Sequence, residues 1–261
     1  MLDADNSLVK MYRAYENLRL AEQRAKINPP DGLTGLPGKK EFIKRVAWHF
    51  KENDIEFTCA IVEFDVSNFK MINNHIGHDM GDKVITRVVK ILKTITRAKP
   101  RQKGKAHYPD IIARLGKGDE FGACIILDEQ GNENYESNEE ILFGIVERHC
   151  LEFEKVQWAE EYQEWAKAFA EKPEVVALIK PTLNPGVVIV HAGMTPRVVR
   201  SARPTVEQIL VWADQLMYES KIYERAHGQR QIFYKTVAFQ ERQIVKVSQT
   251  CVHAGDTPSL Y

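Results

Sequence analysis

Phe64-Asp65-Val66-Ser67-Asn68-Phe69-Lys70 and Gly116-Lys117-Gly118-Asp119-Glu120-Phe121 are the two stretches on which the reading of this chain turns. Each sets carboxylates at the tip of an apolar run, where a strand would end. Val-Glu-Phe-Asp closes the first run, and Ile-Ile-Ala-Arg-Leu leads into a Gly-rich turn before the second, so two adjacent strands could bring Asp65 and Asp119 together. That is a Mg²⁺ site in outline, because Mg²⁺ favours one or two carboxylates plus substrate phosphates over an all-protein cage. The competing reading is two unrelated solvated turns, since Asp and Gly are the usual turn formers.

Outward from these stretches, the spacing of apolar residues predicts a helix over 38–50, a strand over 56–66, a loop from Asn73 to Asp82 and a helix over about 79–98. Strands 109–115 and 120–127 flank the Gly-Lys-Gly turn as a β-hairpin. Two helical patterns follow, about 138–151 and 153–171, the second with Trp158, Tyr162, Trp165 and Phe169 on one face, either packed into the core or offered to a partner. Residues 186–193 read as a buried strand, 205–222 as a helix and 231–238 as a last strand. Before all of this, residues 5–26 carry Leu8, Met11, Tyr15 and Leu18 at helical spacing, a helix lying on its own domain or a short dimerising stalk. Asn28-Pro29-Pro30-Asp31-Gly32 stops it. The expected organisation is an N-terminal helix in 1–30, one domain over 31–238 with a helical insertion at about 130–175, and a loosely attached tail from 239 to 261.

Lys+Arg and Asp+Glu both number 36, so no net charge draws the chain to a nucleic-acid polymer or an anionic membrane, and phosphate binding has to come from a local cluster. Cys59, Cys124, Cys150 and Cys251 lack metal-type spacing and read as reduced thiols of a cytoplasmic protein. No apolar run approaches the roughly 18–20 residues that span a bilayer.

Asp31-Gly-Leu-Thr-Gly-Leu-Pro37, the stretch from Phe64 to Asp82, Arg114-Leu-Gly-Lys-Gly-Asp-Glu-Phe121, and Ala213-Asp214-Gln-Leu-Met-Tyr218 with Lys221 follow one another in order. The chain resembles the GGDEF domains, the diguanylate cyclase family, over about residues 31–236. The resemblance implies an α/β fold of the nucleotidyl-cyclase, palm-like type, with a central mixed sheet flanked by helices. It implies condensation of two GTP into cyclic di-GMP and pyrophosphate by a homodimer using Mg²⁺, or Mn²⁺ in its place. The metal would lie on Asp65, Asp119 and the Val66 carbonyl, while Glu120 would act in activating the 3′-hydroxyl or in metal binding. Lys70 and Lys221 match the phosphate-binding lysines, and the amides around Asn68 and Phe69 could add donors. Asn73 and Asp82 would read guanine, although capping of the following helix is the plainer role for Asp82. His75 and His78 form a pair without the further ligands of a metal motif, and His78 reads as structural.

The chain departs from the family pattern in three places. One extra residue lies between Arg114 and Asp119, with Lys117 where a glycine is expected, and it could bulge the hairpin or add a phosphate contact. The late element reads His227-Gly228-Gln229-Arg230, leaving Arg225, Gln229 and Arg230 as counterparts of one family arginine. The positions of an inhibitory Arg-x-x-Asp site read His107-Tyr108-Pro109-Asp110, without the arginine. Alongside the cyclase stand two alternatives: a degenerate nucleotide-binding module without turnover, and a cyclase making another cyclic dinucleotide.

Overall fold

The structure, a computed structural model, describes residues 29–52, 57–96, 110–127, 135–192, 204–240 and 243–253. The helix expected over 5–26 and the positions of His107, Tyr108 and Pro109 lie outside them. In chain order the elements are α1 (Lys39–Glu52), β1 (Phe57–Val66), α2 (Phe69–His75), α3 (His78–Ile95), β2 (Ile111–Arg114), β3 (Glu120–Leu127), α4 (Tyr135–Glu154), α5 (Trp158–Glu161), α6 (Gln163–Glu171), α7 (Pro173–Leu178), β4 (Leu183–Ala192), α8 (Val206–His227), β5 (Gln231–Gln240) and β6 (Gln243–His253). The strands form one mixed six-stranded sheet in the order β2-β3-β1-β4-β5-β6, parallel only between β4 and β5. The expected α/β architecture is therefore present.

β1 lies inside the sheet with both faces covered, which explains why it reads as a nearly continuous apolar run. Ala60, Val62, Phe64 and Val66 pack with α3 and α4 residues such as Val84, Ile85, Val88, Leu142 and Val146. Cys59 and Ile61 pack on the other face with Phe42 and Val46 of α1 and Ile209, Leu210 and Ala213 of α8. Cys59, Cys124 and Cys150 are buried free thiols.

The structure corrects the sequence reading in three places. The expected Asn73-to-Asp82 loop is mostly helix, because only Ile76 and Gly77 separate α2 from α3. Gly77 makes the break at φ 118°, a conformation costly to any other residue. Residues 243–253 pair along β5 instead of trailing as a loose tail. Their Ile244, Val245, Val247, Thr250 and Val252 are strand formers that outweigh the surrounding polar residues. The second helical pattern, 153–171, breaks at the extended Tyr162 into α5 and α6, and a further short helix, α7, is opened beyond it by Pro173 at a position where a proline is tolerated.

Trp158 and Trp165 are each only 4% exposed, which decides for core packing on that aromatic face, although Phe169 remains exposed. Trp158 lies edge-on to Phe153 and against Tyr162 and Trp165. Arg87 and Lys83 of α3 pair with Glu161 and Glu164, holding this helical segment against the domain's own helix.

Candidate functional site

The site forms where β1 leaves the core. Gly186 of β4 faces Glu63 of β1, and a Cβ there would lie 1.9 Å from the Ala213 carbonyl oxygen and 2.3 Å from the Met217 nitrogen. Only glycine lets α8 sit this close to the sheet. One helical turn, about 5.4 Å, nearly matches two strand residues, about 6.6 Å. Lys221, one turn beyond Met217, is thereby carried to the level of Asp65, and its Nζ donates to Asp65 Oδ1 at 2.5 Å.

From the other side β3 delivers the second acidic stretch. Asp65 stands opposite Glu120 in an antiparallel register that runs unbroken to Thr58 opposite Leu127. Residues directly opposite share a face, so Glu120 and Asp65 project to the same side of the sheet. In a regular strand Asp119 would point away from Glu120. Asp119 lies instead in the turn just before β3, where alternation does not apply, and its charge acts on the same site.

The charges of the site are partly out of water. Burial raises the Asp65 carboxyl above its ordinary range, against the opposing hydrogen bond and charge of Lys221. Burial, with Asp65 beside it, pushes Asp119 up to about 6. Glu63, two residues before Asp65 on the same face and 3% exposed, is pushed up to about 7 by burial, only partly offset by Lys39, with Asp214, Glu120 and Asp65 raising it further. Its Oε2 is buried without a hydrogen-bond partner. Together these carboxylates make an unbalanced negative field for a cation to relieve.

The extra hairpin residue does not bulge the ladder. Pairing between β2 and β3 is regular from Ile111 opposite Cys124 to Arg114 opposite Phe121, so residues 115–119 absorb Lys117 in the turn itself. Arg114 is what accommodates it. Its Nε and Nη2 donate to the Gly118 carbonyl at 3.0 and 2.8 Å, and Nη2 also reaches the Lys117 carbonyl at 3.1 Å. Nη1 grips both oxygens of Asp31 at 3.0 and 3.1 Å. Against the desolvation of its burial, the bonds from Thr34 and Arg114 hold Asp31 below its ordinary range. Neither Gly116 nor Gly118 has positive φ, but a Cβ on Gly116 would meet Glu120 Oε2 at 2.9 Å. The glycine makes room for a carboxylate folded over the turn.

Past Val66 the chain turns through Asn68, whose φ of 63° is left-handed, a conformation that Asn tolerates better than most residues. Its Nδ2 donates to the Lys180 carbonyl at 3.2 Å. Beneath it Asn184, opposite Asp65 on β4, donates from Nδ2 to Ser67 Oγ at 2.5 Å and to Glu224 Oε2 at 3.0 Å, while Ser67 Oγ donates to Glu224. This network fixes the loop that presents Val66, Asn68, Phe69 and the exposed Lys70.

On the far side of the loop Asn73 lies against Gly81, where a Cβ would meet Asn73 Oδ1 at 1.9 Å, so Asn73 sits beside the helical turn that bears the exposed Asp82. Asn73 Oδ1 is buried without a partner. Gly77, not Asp82, caps α3, which removes the capping role as an account of Asp82. Among the candidates for the late arginine, Arg225 lowers the Asp65 carboxyl while Arg230 is buried against Glu154. Sequence reasoning missed Glu63, Asn184 and the Ser67–Glu224 link. A charge and an amide inside otherwise apolar strand runs were the available signals.

Among the described residues no group of three or more His, Cys, Asp or Glu side chains is arranged to hold a metal, and His75 and His78 make no such site. The acidic pair still fits a divalent cation of the Mg²⁺ type, which needs only one or two carboxylates when carbonyl, water and phosphate oxygens complete its shell. Asp65 and Asp119, with the Val66 carbonyl, are the groups that could hold it. No helix of the described residues is long and apolar enough to cross a membrane.

Comparison with known proteins agrees with this geometry. Diguanylate cyclase TpbB of Pseudomonas aeruginosa is 32% identical over 111 residues, 42% of this chain and 22% of that protein. Diguanylate cyclase DgcP of Escherichia coli is 34% identical over 105 residues, 40% of this chain and 26% of the relative. The chain thus spans about a quarter of the length of these two curated relatives. The coiled coil and GGDEF domain of DgcB from Caulobacter crescentus, solved in complex with c-di-GMP, superposes with a TM-score of 0.51 at 20% identity, covering 90% of this chain and 98% of that one. That likeness shows the fold. The family model "Diguanylate cyclase, GGDEF domain" matches residues 29–160, half of the chain, and the chain belongs to the GGDEF family.

Proposed function

We propose that this domain is a diguanylate cyclase that condenses two GTP molecules into cyclic di-GMP and two pyrophosphates. The observation that carries the reading is the register-locked meeting of Asp65 with the Asp119–Glu120 hairpin beside the Lys221 ammonium. In each half of the reaction the 3′-hydroxyl oxygen of one GTP attacks the α-phosphorus of the other. The bond from that phosphorus to the α–β bridging oxygen breaks, and pyrophosphate leaves with the electron pair. The hydroxyl proton passes to a carboxylate, for which Glu120, exposed and on the Asp65 side, is the candidate.

Mg²⁺, or Mn²⁺, held by Asp65, Asp119 and the Val66 carbonyl would neutralise triphosphate charge and polarise the phosphoryl group. Lys70 and Lys221 hold phosphates, with amides of Asn68 and Phe69 beside them. Asp82 accepts from guanine N1–H and the 2-amino group while Asn73 donates to O6 or N7, so adenine leaves Asp82 unpaired. One site supplies one nucleotide, which requires two copies related by a two-fold axis to face each other.

Incubating the purified chain with GTP, ATP and both, with Mg²⁺, and identifying products by mass tests the reading. Cyclic di-GMP from GTP alone is the expected product. A second reading, a module that binds GTP without turnover, follows only if the extra Lys117 re-aims Asp119 although the strands keep their register. Bound GTP and no cyclic product would select it.

A further inference from the structure

Lys221 and Asp65 make a close ion pair, 2.5 Å between Nζ and Oδ1, with side chains only 20% and 10% exposed. The lysine that the proposed reaction uses for phosphate thus occupies an oxygen of the carboxylate that the same reaction uses for metal. The Lys221 charge also lowers the Asp119 carboxyl, against the larger upward push of burial and of Asp65. Arg225 adds a second positive charge near Asp65.

We infer that Lys221 is the resident counter-ion of Asp65, so that the site admits a divalent cation together with a triphosphate and resists the cation alone. The inference rests on the cyclase reading of the site and adds an order to its binding. A free cation approaching Asp65 meets an ammonium already bonded to Oδ1, and the two like charges repel in a partly desolvated pocket. Driving Lys221 off without giving it an anion would leave a half-buried ammonium unpaired, which is unfavourable. A metal–nucleotide complex removes both obstacles in one exchange. The phosphates take the lysine, and the cation takes the carboxylate. The lysine's flexible four-carbon stem suits such a transfer from one oxygen anion to another.

The test uses the full chain stripped of metal by chelation and titrated with Mn²⁺ alone, free Mn²⁺ being read by electron paramagnetic resonance. Lys221→Met is expected to bind Mn²⁺ on the order of tenfold more tightly than wild type. Lys221→Arg, which keeps the charge, should stay within a factor of about three of wild type, within the usual spread of such contributions. With a GTP analogue blocked at the α–β bridge, wild type should gain Mn²⁺ affinity by more than Lys221→Met does. Lys221→Gln repeats the measurement should the Met variant fail to give the wild-type circular dichroism spectrum. Equal or weaker Mn²⁺ binding by the uncharged variants overturns the inference. If the wild type nonetheless binds Mn²⁺ with the analogue, the cyclase reading stands without it. If Asp65→Asn leaves that nucleotide-dependent binding intact, the metal assignment itself falls.

Discussion

The two faces of β1 are almost equally buried and carry opposite chemistry. Ala60, Val62, Phe64 and Val66 close against α3 and α4, while Cys59 and Ile61 on the other face give way to Glu63 and Asp65 as the strand nears its end. What differs is the cover. α8 crosses the sheet at Gly186 and brings Lys221 over the acidic end, whereas α3 and α4 bring an apolar layer to the other face, with the His149 ring against Phe64 as a polar member. A strand can therefore anchor a fold with one side and present charge with the other, provided that a neighbouring helix supplies the opposite charge. Burial nevertheless keeps the Asp65 and Asp119 carboxyls raised against the Lys221 charge, a deficit that a bound cation would relieve.

Substitutions on the two faces should separate sharply. Asp65→Ala is expected to lower cyclase turnover by at least about a thousandfold, since metal stabilisation of phosphoryl transfer is worth several kcal/mol. Its far-ultraviolet circular dichroism should match wild type, and near-normal turnover would break the assignment of that face to chemistry. Phe64→Ala, one residue away on the apolar face, should cost about 3–5 kcal/mol in a urea melt, as large-to-small core changes do. A loss under about 1 kcal/mol would show that this face is not the anchor described.

Asp82→Ala should weaken GTP binding about ten- to a hundredfold, the loss of a charge-assisted hydrogen bond of roughly 1.5–3 kcal/mol, with little change in ATP binding. Equal affinities of wild type for GTP and ATP by calorimetry would remove the guanine contact.

Glu63 gives a pH test of the acidic face. Its carboxyl titrates at about 7 in the fold against an ordinary 4.5, so the unfolded chain ionises first as pH rises. Wild-type stability from this group is therefore full below about 4.5, falls through the interval and levels off above about 7. Glu63→Gln lacks that loss. Its stability relative to wild type should rise by roughly 1–3 kcal/mol between pH 4 and pH 8, read by thermal melts. A pH-independent difference would mean that Glu63 is solvated or paired. The smallest expected effect is that of deleting Lys117. Because the strands keep register without help from that residue, turnover should stay within about threefold of wild type. A loss beyond a hundredfold would show that the turn aims Asp119.

Much of this arrangement was legible from residue order, because β1, β3 and α8 each carry a long apolar pattern ending in charge. Strand ends alone allowed Asp65 and Asp119 to meet but left two unrelated turns as an equal reading, and the order of the family motifs decided between them. The fate of Lys117 was not legible. Whether an added residue bulges a strand or widens a turn depends on Arg114, whose long side chain reaches carbonyls that no pattern of hydrophobicity reveals. Glu63 was hidden for the opposite reason. A single charge in an apolar run looks like noise until its cross-strand partners prove to be Gly122 and Gly186, which leave it without side-chain cover from either neighbour. β6 was missed because its β-branched residues are interleaved with polar ones, and pairing along a sheet edge asks for only one apolar face.

Arg114 also makes the domain a linkage in the mechanical sense. The segment that enters the sheet runs beside β2, with Gly38 bridged to Arg114 and the Arg114 amide bonded to the Pro37 carbonyl. The same guanidinium spans from Asp31 to the Lys117 and Gly118 carbonyls of the hairpin turn. A displacement of residue 31 would reach the peptide units just ahead of Asp119 through the one guanidinium that bonds both, without passing along the strand ladders. The turn has a handle, and the handle is where the chain comes in.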